Sequence, residues 1–182
     1  MSGVTRLSDE LEMMEQAARQ AVSDNDLVVV AGGASVGERD HAKAMFEPLG
    51  LELLFAKVAM KPGKPVWLGR ARNTLVMGLP GNPTSAMVTA RLLLSPLLQR
   101  MGGEAGPAHN GWMPRKLAAP LAANGSRECF VRGAFTETGT VIPVTNQSSG
   151  AQLALAEADL LIRRIPHAEP LAEGSAITIL PF

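Results

Sequence analysis

The run Leu27–Ala31 constrains the fold of this chain more than any other segment, because its residues are all apolar and three of them are β-branched. A run that is apolar on both faces is typical of a strand buried in a parallel sheet. Asp24-Asn25-Asp26 precedes the run and Gly32-Gly33 follows it, and such residues commonly bound strands. We therefore predict a short buried strand within a layered α/β architecture.

Helical and strand patterns on both sides of this run support that architecture. Ahead of it, apolar residues recur at helical spacing at Leu7, Leu11, Met14, Ala18 and Val22. Ser8 is predicted to cap this helix, with Asp9 and Glu10 in its first turn. Further along, we predict a short helix, a strand, a hairpin turning at Arg70–Asn73 and a long helix kinked at Pro96; they cover Asp40–Leu49, Leu51–Val58, Val66–Met77 and Thr84–Met101.

The composition changes after Gly102–Pro107, a Gly-rich and Pro-containing segment that we predict to be a linker. Short β-like runs separated by Gly, Pro and Asn follow it, at Glu128–Ala134, Thr140–Thr145, Leu160–Ile165 and Ala176–Leu180. These runs predict a small all-β domain, with one helical turn near Gln152–Ala158. The predicted domains are residues 1–103 and residues 108–182.

Charge and composition exclude several classes of function. The 17 basic and 17 acidic residues cancel, which argues against binding to nucleic acid or to a membrane surface. The single cysteine, Cys129, rules out an internal disulfide and is predicted to be buried. The chain has no signal-peptide pattern and no apolar run near the roughly 20 residues of a membrane helix, so we expect a cytoplasmic protein.

The loop after the first predicted strand is a candidate ligand site, because ligands bind at the carboxyl ends of parallel strands. Gly32 and Gly33 allow close approach to the backbone, and Ser35 can donate a hydrogen bond. Glu38 and Asp40 suit a phosphate that is bridged by Mg²⁺. The alternative is a plain turn with a solvated acidic helix start.

Three lysines, Lys57, Lys61 and Lys64, lie at a predicted strand end and in the turn Lys61-Pro62-Gly63-Lys64-Pro65. Lysine is a mobile point charge that suits oxyanions, and one charge pair at about 4 Å contributes ~4 kcal/mol at an effective dielectric near 20. The prolines restrict the turn and lower the cost of ordering it. Ordinary surface lysines are the alternative interpretation.

The segment Gly78–Ser85 is a more specific signal, because two prolines and two glycines restrict a loop that enters a helix. Its candidate binding residues are Pro80, Gly81, Asn82, Pro83 and Ser85. A capped turn without a ligand is the alternative. Asp9 is a weaker candidate, since an acid in a first turn ordinarily serves the helix dipole. Arg127 and Arg132 are predicted to be surface charges.

Together and in this order, the three loops resemble the molybdopterin molybdenumtransferase family, called MoeA in bacteria and represented by the gephyrin E domain in animals. The match rests on Asp26–Asp40, Lys61–Pro65 and Gly78–Pro83, and extends more loosely to Arg127–Arg132 and Asn146–Gly150. The Gly-Gly loop alone also fits molybdopterin adenylyltransferases, whereas the double-lysine turn favours the insertase. The resemblance implies part of a three-layer molybdopterin-binding domain followed by a β-barrel-like C-terminal domain.

The resemblance also implies an activity and roles for the candidate residues. Family members insert molybdenum from molybdate into adenylylated molybdopterin and release AMP, assisted by Mg²⁺ or Zn²⁺. Asp40, with Glu38, would organise the metal, Lys57 and Lys61 would hold molybdate or the pyrophosphate, and Lys64 would support them. Gly32, Gly33, Ser35 and the loop Pro80–Ser85 would shape the pterin and phosphate site. Asp9 matches a family acid at a similar offset.

The chain also departs from the family pattern, because the long N-terminal domains and the Thr-Gly-Asp-Glu-like first strand of the family are not in it. We therefore expect a partial insertase that holds about half of the ligand site. The resemblance implies a homodimer in the full-length form and an adenylyltransferase as a partner. Two alternatives stay open: a non-catalytic pterin-binding or scaffold module, and a molybdopterin adenylyltransferase.

Overall fold

A computed structural model describes residues 3–32, 41–104, 111–148 and 156–182. The described helices are α1 Leu11–Asp24, α2 His41–Ala44, α3 Pro83–Thr89 and α4 Ser95–Met101, with a 3-10 turn at Glu47–Leu49. The strands are β1 Leu27–Ala31, β2 Glu52–Phe55, β3 Met60–Lys61, β4 Trp67–Ala71, β5 Thr74–Leu79, β6 Met113–Lys116, β7 Glu128–Phe135, β8 Val141–Pro143, β9 Leu160–Arg164 and β10 Ala176–Pro181. The predicted α/β class followed by an all-β region is confirmed.

The chain forms two compact units. The first unit comprises Met1–Val58 and Pro65–Gly81, and the second comprises Ala59–Lys64 and Asn82–Phe182. This division differs from the predicted domains 1–103 and 108–182, because the long helix and the lysine turn contact residues of the β region. Among the described residues, no helix is long and apolar enough to cross a bilayer.

The sheet of the first unit has the strand order β1-β5-β4-β2. β1 and β5 are parallel, with Leu27 opposite Leu75 and Ala31 opposite Leu79, and the other neighbours are antiparallel. The predicted strand and the predicted hairpin are both confirmed, the latter turning at Arg72 with φ of 54°. The prediction that this strand is buried is wrong, because β1 is an end strand of the described sheet, none of its residues is fully buried and Val29 is 41% exposed. The parallel pair places the carboxyl ends of β1 and β5 at one edge of the sheet.

One face of this sheet packs on α1, which buries Met14, Ala18 and Val22 at four-residue spacing. The indole of Trp67 lies against Gly78, where a Cβ would overlap the ring, so only glycine fits there. Thr74 joins the helix to the sheet, because its hydroxyl donates to the carbonyl oxygens of Val22 and Asn25, at 2.8 and 2.9 Å. Close packing thus defines this core.

The start of α1 corrects a prediction. The helix begins at Leu11, with Glu10 rather than Ser8 at the N-cap and no side-chain cap. The Ser8 hydroxyl instead contacts the Met13 sulfur at 3.5 Å, and Asp9 lies in the exposed segment before the helix. Packing of the apolar face, which starts with Met14, therefore determines where the helix begins, rather than the local capping signal.

The long helix continues from α3 to α4 through a π segment at Ala90–Leu94. Pro96 has no N–H, and its ring crowds the carbonyl group four residues earlier. The N–H of Ser95 bonds to the carbonyl of Ala90, so the chain widens by one residue just before the proline. The irregularity predicted at Pro96 takes this form.

The second unit contains a sheet of order β3-β7-β9-β10-β6, with β8 also paired to β7. The four predicted strands of the β region are confirmed, whereas β3 and β6 were not predicted. Much of the helical turn predicted near Gln152–Ala158 lies outside the described residues. The core of this sheet comprises Leu117, Val141, Leu160, Ile162, Ile177 and Ile179.

Candidate functional site

In the first unit, two glycines lie just beyond the carboxyl ends of β1 and β5. Gly32 has φ of 96°, and its N–H donates to the carbonyl of Leu79 at 3.4 Å. A Cβ at Gly81 would come within 3.3 Å of the Gly32 Cα, so the two backbones approach closely. Pro80 between them is buried. The structure thus brings Gly32 and Gly81 together at the sheet edge where ligands commonly bind.

The start of α3 belongs to the second unit and is capped. The Asn82 side chain accepts a hydrogen bond from the Ser85 N–H at 3.2 Å, and its carbonyl accepts from the Ala86 N–H at 2.9 Å. Pro83 occupies the first turn, where its missing N–H costs nothing. The hydroxyl of Thr84 is buried with no hydrogen-bond partner among the residues described. Asn82 is therefore committed to the cap.

The lysine turn of the second unit is held by Gly63. This glycine has φ of 110°, and a Cβ there would overlap the methyl group of Thr89 on α3. The turn therefore packs directly on the helix because residue 63 has no side chain. Lys61 precedes Gly63 and Lys64 follows it, and both side chains are exposed. The structure thus places the turn that carries these two lysines against Thr89, the last residue of α3.

Lys57 lies in the exposed segment after β2 of the first unit. Within the described parts of the chain, Lys57, Lys61 and Lys64 make no hydrogen bond or ion pair. An ammonium group without an internal partner is available to an anionic ligand, and phosphate-like oxyanions suit it. Chemically, the described site residues offer free cations and accessible backbone.

Four of the predicted site residues, Gly33, Ser35, Glu38 and Asp40, lie outside the described residues. In the described ranges, no group of three His, Cys, Asp or Glu side chains could hold a metal ion. The metal site at Glu38 and Asp40 therefore stays a prediction. Asp9 precedes α1, so the prediction that it lies in the first turn of that helix is wrong.

Three features of the second unit were missed or wrongly predicted at the level of sequence. Lys61 is in strand β3, parallel to β7 and in register with Cys129, and a pairing of two residues leaves no periodic signal. Arg132 was predicted to be a surface charge but is only 2% exposed, and its guanidinium donates to the carbonyls of Asn146 and Ser148. Burial lowers the pKa of Arg132 below its ordinary value. Cys129 is half-buried rather than fully buried.

Residues 1–100 match the family described as a probable molybdopterin binding domain, and residues 114–182 match the MoeA C-terminal region, domain IV. The chain is 45% identical over 98 residues to the molybdopterin molybdenumtransferase of Haemophilus influenzae, covering 54% of this chain and 24% of that protein. It is 34% identical over 157 residues to the one of Synechococcus elongatus, covering 85% and 38%.

Solved structures show the same similarity. The crystal structure of the molybdopterin biosynthesis MoeA protein from Pyrococcus horikoshii superposes with a TM-score of 0.76 at 30% identity. The match covers 95% of this chain and 41% of that one. The chain thus spans about a quarter to two fifths of the length of these relatives.

Proposed function

Because the chain belongs to the molybdopterin molybdenumtransferase family, we propose that it serves molybdenum cofactor biosynthesis by inserting molybdenum into adenylylated molybdopterin. Molybdate supplies the metal, the dithiolene of the pterin receives it, and cleavage of the phosphoanhydride releases AMP. The observation that supports this best is the Gly63 turn, which packs on Thr89 and leaves Lys61 and Lys64 exposed and without internal partners.

Lysine side chains provide the charge that this reaction needs. Molybdate and the pyrophosphate are both multiply charged oxyanions, and negative charge accumulates on the phosphate as the anhydride breaks. We assign Lys61 to the oxyanion, with Lys64 as a supporting charge on the same turn. Lys57 is assigned the same chemistry, since its exposed ammonium has no partner among the described residues. Each lysine would stabilise the developing negative charge electrostatically and would form no covalent bond to the substrate.

The backbone at the sheet edge supplies the second element of the proposal. Gly32 and Gly81 approach each other closely, and neither presents a side chain that would block a ligand. We assign these residues, with Gly33, Ser35 and Pro80, to the pterin and phosphate. Asn82, Pro83 and Ser85 maintain the loop, because the amide of Asn82 bonds to the Ser85 N–H.

The proposal includes a divalent cation held by Glu38 and Asp40. Carboxylate oxygens suit Mg²⁺ best, and Zn²⁺ also accepts them. When bound, the cation would polarise the phosphoanhydride. The proposal further includes a homodimer in the full-length form, an adenylyltransferase that supplies the substrate, and a cytoplasmic location.

The test measures substrate binding separately from turnover, since the chain spans only part of its relatives. Adenylylated molybdopterin is titrated into the protein by calorimetry, with Lys61→Ala compared with Lys116→Ala, an exposed lysine on β6 of the same unit. We expect Lys61→Ala to weaken binding about tenfold or more, because an oxyanion loses a charged partner. Lys116→Ala should bind like the unaltered protein.

Turnover is followed as release of AMP that depends on molybdate. Equal binding of adenylylated molybdopterin by Lys61→Ala and Lys116→Ala would contradict the role of the lysine turn. If that equal binding also needs no divalent metal, it would favour a non-catalytic scaffold module. Consumption of ATP with free molybdopterin and without molybdate would instead identify an adenylyltransferase.

A further inference from the structure

A groove of about 470 Å³ lies within the second unit, and none of the residues assigned above lines it. Its base includes Cys129 and Val131 of β7 and Arg164 of β9, and segments 119–124 and 142–147 form its walls. This volume is in the range of small-molecule sites.

Arg164 places a positive charge in this groove. Its side chain is only 5% exposed, and one of its terminal nitrogens, Nη2, donates to the carbonyls of Ala122, Ala168 and Glu169. Nε and Nη1 have no acceptor among the described residues, and no described carboxylate lies within 4.0 Å of the guanidinium. A buried charge ordinarily has a counter-ion. The groove therefore contains a cation whose Nε and Nη1 can still donate hydrogen bonds to a ligand.

The two amide side chains of the groove are already used. The Asn124 amide donates to the carbonyls of Arg127, Arg164 and Ile165. The Gln147 amide accepts from the Arg132 N–H and donates to the Arg132 and Val144 carbonyls. Thr145 adds only an uncharged hydroxyl to the lining, so electrostatic recognition of an anion depends on Arg164.

The apolar walls define the rest of the ligand. Leu121, Val131 and Ile142 line the groove, and Arg164 is the one charged residue in the lining described. A single cation suits a monoanion, whereas a phosphate dianion would require additional positive groups. A neutral apolar molecule would leave the guanidinium donors unpaired.

We propose that this groove binds a small organic monocarboxylate, with Arg164 as the counter-ion of the carboxylate and the walls against its apolar body. This proposal does not rest on the proposed function, because the groove lining shares no residue with the proposed insertase site. Guanidinium and carboxylate groups form charge-assisted hydrogen bonds, which are stronger than neutral ones.

Cys129 provides a built-in reporter, because it is the single cysteine of the chain and it lines the groove. The full chain is alkylated with iodoacetamide in the presence of benzoate or of benzyl alcohol, its neutral counterpart. Dissociation constants come from the concentration dependence of the protection of Cys129. We expect benzoate to bind about tenfold or more tightly than benzyl alcohol, because a hydrogen bond to a charged group contributes more than one between neutral groups.

Two variants attribute the effect to the groove. Arg164→Met should remove the preference for benzoate, whereas Arg163→Met is the matched control, since Arg163 is exposed and bonds to Glu128. If Arg164→Met does not fold, Ala122→Trp fills the groove and keeps the carbonyl that Arg164 binds. It should abolish protection by benzoate.

Three outcomes would overturn the proposal. Equal protection by benzoate and benzyl alcohol, or protection by neither, would leave Arg164 as a structural bond to the backbone alone. Retention of the benzoate preference in both Arg164→Met and Ala122→Trp would place the binding elsewhere on the protein.

Discussion

Among the described residues, the largest fully buried side chain of the first unit is Trp67, whereas that of the second unit is Arg132. Trp67 packs against the bare backbone of Gly78, and its indole N–H has no hydrogen-bond partner among the described residues. Arg132 and Arg164 instead bond to carbonyl oxygens of loops that are distant in sequence. The largest buried side chain of the first unit is thus held by shape, whereas that of the second unit is held by hydrogen bonds.

This difference teaches that two units of one chain can be destabilised by different kinds of substitution. Close packing makes the first unit sensitive to added volume, because interiors are packed as densely as organic crystals. The second unit is sensitive to the loss of donors, because a buried carbonyl without a partner is costly. The two tryptophans of the chain, Trp67 and Trp112, lie in different units, so fluorescence can follow each unit separately.

The largest expected effect is that of Gly78→Ala in the first unit. The new Cβ would overlap the rigid indole of Trp67 on the neighbouring strand, and we expect a loss of about 3 kcal/mol in the free energy of unfolding. Urea unfolding is followed by Trp67 fluorescence in a Trp112→Phe background. Gly3→Ala is the control in the same unit, because a Cβ there meets no atom within 4 Å. Equal stability of the two variants would contradict the packing argument.

In the second unit, Arg132→Met should destabilise by about 2 kcal/mol, because it leaves the carbonyls of Asn146 and Ser148 without their donor. Trp112 fluorescence in a Trp67→Phe background reports the unfolding. The exposed Arg163→Met should cost well under half as much. A smaller loss for Arg132→Met than for Arg163→Met would show that the buried guanidinium does not support this unit.

Thr74→Val tests the contrast between packing in the first unit and hydrogen bonding in the second, because Thr74 is a buried polar residue of the first unit. The change keeps the shape and removes the bonds to the Val22 and Asn25 carbonyls, so we expect a loss of about 1.5 kcal/mol. Thr5→Val is the surface control, since Thr5 is exposed in the same unit, and Trp67 fluorescence in the Trp112→Phe background follows the urea unfolding of both variants. A loss for Thr74→Val that equals that of Gly78→Ala would remove the contrast between the units.

The smallest expected effect is that of Asn82→Ala, which removes the cap of α3 and should cost about 1 kcal/mol. Asn82→Asp should retain most of the stability, because a carboxylate also accepts the Ser85 N–H. Both are measured by urea unfolding with Trp112 fluorescence. An Asn82→Asp variant as unstable as Asn82→Ala would mean that the side-chain cap does not stabilise the helix.

Local patterns predicted the elements that depend on near neighbours in the sequence. The apolar run Leu27–Ala31, the hairpin of β4 and β5, and the long helix with its proline are all visible in periodicity and turn residues. The glycines and prolines at the ends of β1 and β5 likewise marked Gly32, Pro80 and Gly81 as candidates, and the structure brings Gly32 and Gly81 together.

Other features depend on partners that no local pattern can indicate. Lys61 joins β7 through a pairing that spans more than sixty positions, and the requirement for glycine at position 63 comes from Thr89 on α3. Capping residues likewise predicted a helix start at Ser8, whereas packing of Met14 moved it to Leu11. Each of these outcomes is set by contacts rather than by propensity.

The sequence by itself determined most of the strands and helices, the lysine turn and the glycine-proline loop, and the family to which the chain belongs. Only the tertiary structure decided that Arg132 and Arg164 are buried and that Gly63 packs on α3. The physical reason is that periodicity reports which side of an element is apolar. A buried charge or a missing Cβ is explained only by the atoms that the fold brings beside it.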